Sequence, residues 1–222
     1  MAAIVWDQTG ERFYETGVDH GVLYPYSSAN KTYGPGVAWN GLTAINESPT
    51  GAEPTPLYAD NIKYLNLMSA EELGFTIEAY TYPDEFAVCD GTATPAPGVA
   101  VSQQERRTFG LSYRTLIGND VDSNEHGYKI HLIWGALASP SEKAYATVND
   151  TPEAITFSWT ATTTPVAFAA GRVLKPSAKM TIDSTKVDDV KMESLLAVLY
   201  GEGEAATANL PLPEEILELL AG

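Results

Sequence analysis

Apolar and polar positions alternate through the middle of this chain. From Phe75 to Tyr82, residues Phe75, Ile77 and Ala79 fall on one face and Thr76, Glu78, Tyr80 and Tyr82 on the other, the period of two that marks a half-buried strand. The same period runs through Phe109 to Arg114, Tyr128 to Trp134 and Ala154 to Thr160. Turn-forming clusters separate these runs: Pro83-Asp84, Asp90-Gly91, Pro95-Ala96-Pro97-Gly98, Gly118-Asn119-Asp120 and Asn149-Asp150-Thr151-Pro152. Strands set off by turns predict a mainly β chain, an antiparallel β-sandwich or barrel.

Helical spacing is confined to three places. Ser69-Ala70-Glu71-Glu72 reads as a capping box opening a helix of one or two turns that Gly74 ends. Met192, Leu195, Leu196 and Leu199 predict a longer helix from about Asp188 to Tyr200, stopped at Gly201. Pro213 opens a short helix whose Ile216, Leu217 and Leu220 form an apolar stripe beyond the hinge Gly201-Glu202-Gly203-Glu204. That stripe is either core of its own domain or a docking element for a neighbouring subunit.

The first third, Gly10 to Asn66, carries no sustained period of either kind, yet it is dense in aromatic residues, glycine and proline. Too apolar for a disordered arm, it has two readings. One is a set of short strands and tight turns on the domain's own surface; the other is a long loop serving binding or assembly, as long structureless segments in compact domains usually do. The chain thus divides into an N-terminal segment (1–66), a β core (67–187) and a C-terminal helix with a docking tail (188–222).

A chain of 222 residues suits one sizeable domain, or one domain with an appendage, able to bury roughly 70% or more of its unfolded surface. Its single cysteine, Cys89, leaves no intramolecular disulfide and fits a reducing compartment. No cationic start with an apolar core and no apolar run of membrane-spanning length appear, so the expectation is a chain with neither signal peptide nor membrane span. The sequons at Asn30, Asn46 and Asn149 then carry no meaning. Asp and Glu number 29 against 13 Lys and Arg, a formal net charge of −16. Such a chain repels nucleic acid, and its acidity serves either solubility or a surface along which DNA slides without being held.

Candidate chemistry is sparse. His20, His126 and His131 are scattered, and His131 reads as a surface or interface residue. No nucleophile elbow, phosphate loop, dinucleotide fingerprint or paired-cysteine knuckle is present. Asp120-Val121-Asp122-Ser123-Asn124-Glu125 imitates the start of a calcium loop, but Glu125 stands at the turn position and His131 where a bidentate Glu is needed. It reads as a solvated hairpin tip. Cys89 has no basic neighbour in sequence to lower its pKa. The expectation is a protein with no catalytic, cofactor or metal site.

Several segments together resemble a known family. Gly10 to Asp19 (GERFYETGVD), Gly21 to Pro25, Tyr33 to Leu42 (YGPGVAWNGL), Leu57 to Tyr64 (LYADNIKY), Ile77 to Phe86, Cys89-Asp90-Gly91, Gln103 to Arg114, Gly118-Asn119-Asp120, Gly127 to His131 and Ala138 to Lys143 are similar, in this order, to the major tail tube proteins of long-tailed siphophages. The resemblance implies a β-sandwich subunit that forms hexameric rings, each contributing strands to an inner barrel, stacked into a tube for DNA ejection. It implies partners as well: further copies of the chain, a tail tip or initiator complex, a tape measure protein and a tail terminator, with viral DNA passing unbound and no membrane. The protein would be made in the host bacterial cytoplasm and reside in the virion tail. On this reading Phe13, Tyr14, Tyr24, Tyr26, Tyr33, Trp39, Ile216, Leu217 and Leu220 are assembly-interface candidates, and Glu78 and Glu105 are candidates for the lumen.

A second class stays open. With 12 Tyr and 4 Trp, a β-sandwich could line a groove for carbohydrate or receptor binding. The aromatics fall at alternating strand positions or in the N-terminal segment, without a cluster of Trp on one strand face. A hydrolase is a distant third, for no paired carboxylate motif is present.

Overall fold

The computed structural model describes residues 3–148, 150, 153–169, 173–202 and 207–221. The chain is mainly β, and among the described residues every strand pairing is antiparallel and two α-helices are present. The main sheet contains β1 (Tyr14–Ser27), β2 (Thr32–Tyr33), β3 (Val37–Trp39), β4 (Leu42–Gly51), β7 (Glu71–Ala79), β10 (Phe109–Asn119), β11 (Ser123–Ala138), β12 (Phe157–Thr163) and β13 (Lys179–Asp183). Its order is β2-β1-β10-β11-β12-β7-β4, with β13 also on β11 and β3 also on β1. Two small hairpins stand apart, β5 (Pro54–Ala59) with β6 (Ile62–Met68) and β8 (Ala93–Ala96) with β9 (Val99–Val101). Helices α1 (Asp189–Tyr200) and α2 (Pro213–Ala221) close the chain.

Burial follows from strand alternation. On β11, Ile130, Leu132 and Trp134 enter one hydrophobic cluster and Ile133 enters another, because neighbouring side chains point to opposite faces. The rhythm changes at Gly135. Its φ is 62°, and an added Cβ would lie 2.2 Å from Thr164 O, so only glycine fits. The next inward residues are Ala136 and Ala138, one place out of phase with Ile133, as a bulge requires. Here β11 exchanges its neighbour β13, paired through Ile133, for β12, paired from Ala136.

One cluster gathers Leu23, Trp39, Phe75, Ile77, Leu111, Ile133 and Trp159, joining strands far apart in the sheet order. A single 3-10 turn over Asp84–Phe86 seats Phe86 in it. The second cluster lies beneath the helices and contains Val22, Tyr24, Ile130, Trp134, Met192, Leu195, Leu199 and Ile216. Tyr24 Oη donates to Leu199 O at 2.8 Å and Trp134 Nε1 to Pro211 O at 2.9 Å, so each large aromatic satisfies its polar atom while burying its ring.

Helix α1 follows its sequence signals. The Asp188 side chain accepts from Val190 N, and Gly201 caps the other end at φ 71°. Helix α2 begins at Pro213 as expected, but Ile216 is fully buried against this chain's own sheet. Gly203 and Glu204 of the anticipated hinge lie outside the described residues.

Three expectations are corrected. Ser69 to Glu72 opens no helix: Ser69 Oγ accepts from Ala52 N, and Glu71 and Glu72 pair with Gly51 and Thr50 in the β4–β7 ladder. The N-terminal segment is not a long loop, since β1 lies beside β10 inside the main sheet and β4 beside β7. The strand expected over Ala154 to Thr160 runs instead over Phe157–Thr163, where its partner β7 supplies hydrogen bonds.

Candidate functional site

The outer ends of β4 and β7, beyond the rungs that β7 shares with β12, form a ribbon that leaves the body of the protein and carries the β5–β6 hairpin beyond it. The pairing of β4 with β7 runs outward from Leu42–Ala79 to Gly51–Glu71, and the hairpin continues from Pro54–Met68 to Ala59–Ile62. Asp60 and Asn61, at φ 49° and 63°, make the two-residue turn, the left-handed pair that matches strand twist. Every residue of β5 and β6 is exposed. Tyr58, Ile62, Tyr64 and Met68 each leave more than 60% of their surface in water, and Leu57, Leu65 and Leu67 add to the patch. An isolated two-stranded hairpin is marginal in water, and an apolar one with free edges is a template for association.

Where the ribbon leaves the body, Glu47 of β4 reaches across to two other strands. Tyr113 Oη on β10 donates to Glu47 Oε1 at 2.5 Å, and Lys179 Nζ on β13 donates to the same oxygen. Burial pushes the Glu47 carboxyl up, but the Lys179 and Tyr113 hydrogen bonds outweigh it and hold the group below its ordinary value. Burial, then the Glu47 carboxylate, push the Tyr113 hydroxyl up. His131 stacks on Tyr113 at 4.6 Å and 9°. Its ring nitrogens meet Thr115 Oγ1 at 2.9 Å and Thr181 Oγ1 at 3.3 Å. Sequence reasoning took His131 for a surface or interface residue; it is 8% exposed in its own chain, and burial, then Lys179, lower its pKa to about 4.

The aromatic interface candidates divide. Tyr24, Tyr33 and Trp39 lie inside the chain's own core, with Tyr33 Oη accepting from Gly135 N at 2.9 Å and Trp39 Nε1 donating to Thr81 O at 3.0 Å. Tyr26 is half-buried against Tyr33. Ile216 is buried, and Leu217 and Leu220 are half-buried. Aromatic density there reflects folding, and those buried side chains present no free docking surface. Phe13 and Tyr14 stay exposed: Phe13 packs 5.0 Å from His126, and Tyr14 Oη donates to Asn124 Oδ1 at 2.9 Å. The hairpin signal was present in the sequence as Asp60-Asn61 between apolar residues.

The two carboxylate candidates occupy different elements. Glu78 sits half-buried on the outer face of β7, where Asn46 Nδ2 donates to it at 3.1 Å. By register it faces Ser158 on β12 and Ala44 on β4, and Thr76 and Glu72 follow it on the same face of β7, so this sheet face carries acidic side chains and, on β4, β7 and β12, no Lys or Arg. Glu105 lies exposed in the loop that enters β10. The Asp120 to Glu125 stretch forms the β10–β11 turn: Asn119 Oδ1 accepts from Val121 N and Asp122 N, while its Nδ2 donates to Asp122. Among the described residues no group of three or more His, Cys, Asp or Glu is arranged to hold a metal ion. Cys89 is buried in the core, and burial raises its thiol pKa to about 12, where thiolate is scarce at neutral pH. No helix among the described residues is long and apolar enough to cross a membrane.

Comparison with models of known protein families gives no match, and comparison with curated proteins gives no significant one.

Proposed function

We propose that this chain is a structural subunit that associates with further copies of itself, as a tail tube subunit of a long-tailed phage would, in stacked rings around an acidic channel for DNA. The observation that carries this reading is the projecting β5–β6 hairpin, in which every residue of both strands, tyrosines and aliphatic side chains included, is exposed. A heterologous contact of this kind, one patch on a different patch of the next copy, generates rings and tubes. Two further features support it. The net charge of −16 suits a wall past which DNA slides, and the outer face of β4, β7 and β12, which carries Glu72 and Glu78 and no Lys or Arg, is a surface with little grip on phosphate.

The groove-binding alternative draws less support. Trp39, Trp134 and Trp159 are buried, which leaves Trp6 as the exposed indole and no Trp platform for a sugar ring. Sedimentation velocity tests the assembly reading: the native chain forms large species as concentration rises, whereas a variant carrying Leu57→Ser, Tyr58→Ser and Tyr64→Ser remains a monomer. Equal assembly by both would remove the hairpin from the interface.

A further inference from the structure

We propose that Glu47 is a positioning residue, fixing the direction in which the exposed hairpin leaves the protein. The β4–β7 ribbon is an edge of the main sheet, and beyond Glu47 on β4 all residues are exposed. Its pairing partner Phe75 is fully buried, and on β7 the attachment runs two residues further, through Gly74 paired with Thr162 and Leu73 packed on the core, so Glu47 stands at the root of the free part of the ribbon. There its carboxylate is bonded by Tyr113 from β10 and Lys179 from β13, two strands that do not pair with β4. On the β7 side of the same place, Thr163 Oγ1 donates to Leu73 O at 2.8 Å. A two-stranded ribbon bends and twists easily; held at its root from two directions, its tip is confined.

The chemistry suits a pin better than a catalytic group. One oxygen carries both a hydroxyl and an ammonium, and charge-assisted bonds of this kind are short and directional. The side chain remains 30% exposed, so water competes for it and the pin is reversible. The consequence for assembly rests on the hairpin being the contact surface; the positioning itself does not. A preset tip lowers the ordering cost of each contact.

The test is the distance distribution between nitroxides at Lys63→Cys, beside the hairpin turn, and Glu193→Cys, exposed on α1, in a chain kept dilute. Buried Cys89 stays unlabelled. In otherwise native protein the distribution is narrow, and Glu47→Gln or Tyr113→Phe broadens it about two-fold. Tyr113→Phe keeps the ring and its stack on His131, so it reports on the pin even if Glu47→Gln folds poorly. An unchanged distribution in folded Tyr113→Phe and Glu47→Gln overturns the proposal, whatever happens to stability. Assembly is read separately: a broadened distribution with undiminished self-association upholds the positioning and contradicts the hairpin as the contact.

Discussion

Tyr113 Oη and Glu47 Oε1 lie 2.5 Å apart although 66 residues separate them in the chain. The bond joins β10, deep in the sheet order, to β4 at its edge, and Lys179 and His131 complete the group around it. Tyr113 is 4% exposed, so removing Glu47 leaves a buried hydroxyl and an ammonium without their partner. Glu47→Ala is expected to cost about 2 kcal/mol in urea unfolding, and Tyr113→Phe about 1 kcal/mol, because only the first strands polar partners. Equal, negligible losses would mean that water replaces the carboxylate freely.

Acid should destabilise the fold through His131. Its folded pKa, about 4, lies below the ordinary value of 6.5, so below pH 6.5 the unfolded chain takes up a proton that the folded chain refuses. The stabilising effect of neutrality is complete above 6.5 and is lost progressively toward 4. Lys179 and Lys129 oppose the protonated ring, while Glu47 and Glu15 favour it. Linkage gives a loss of about 2 kcal/mol between pH 7 and pH 5, measured by denaturant unfolding at each pH. In His131→Gln that slope should flatten; a slope that persists unchanged would assign it to other groups.

The terminal helix belongs to the fold of its own chain. Ile216 is fully buried among Trp134, Leu195 and Leu199, so Ile216→Ala should lower stability by about 2–5 kcal/mol. Thermal unfolding of the dilute monomer checks it. An unchanged melting temperature would return the stripe to the role of a docking tail.

Charge reversal on the outer face of β7 tests the channel. Glu78→Lys and the native chain should unfold alike to within about 0.5 kcal/mol, as substitutions away from buried networks usually do. In assembled tubes the variant repeats a lysine around and along the bore, and DNA ejection should slow at low salt and recover as salt screens the contacts. Normal ejection at low salt would place Glu78 away from the path.

Much of this fold was legible in the sequence, and the failures have physical causes. Strand β7 and both helices follow their periods because one face of each is buried, while β10 and β11 are buried on both faces, with alternate side chains of β11 entering different clusters. Strand β1 was hidden: its ladder shifts register between Thr16 and Asp19 and again between Asp19 and Val22, and Gly17 and His20 adopt positive φ, so no run of alternation survives. The Ser69 capping box failed because its hydroxyl serves the opposite strand of a ribbon. Tyr24 and Trp39 looked like assembly residues since sequence cannot tell an aromatic that packs on its own chain from one that packs on another. The Glu47 group was invisible, as its partners lie 66 and 132 residues away.

Electron microscopy of the concentrated protein tests the central claim most directly. Self-association through the hairpin predicts rings, or tubes with a regular axial repeat and an open central bore, in the native chain, and their absence in the Leu57, Tyr58 and Tyr64 serine variant. Dispersed monomers of the native chain at every concentration and salt, with no rings or tubes even when seeded with tail tips, would contradict it.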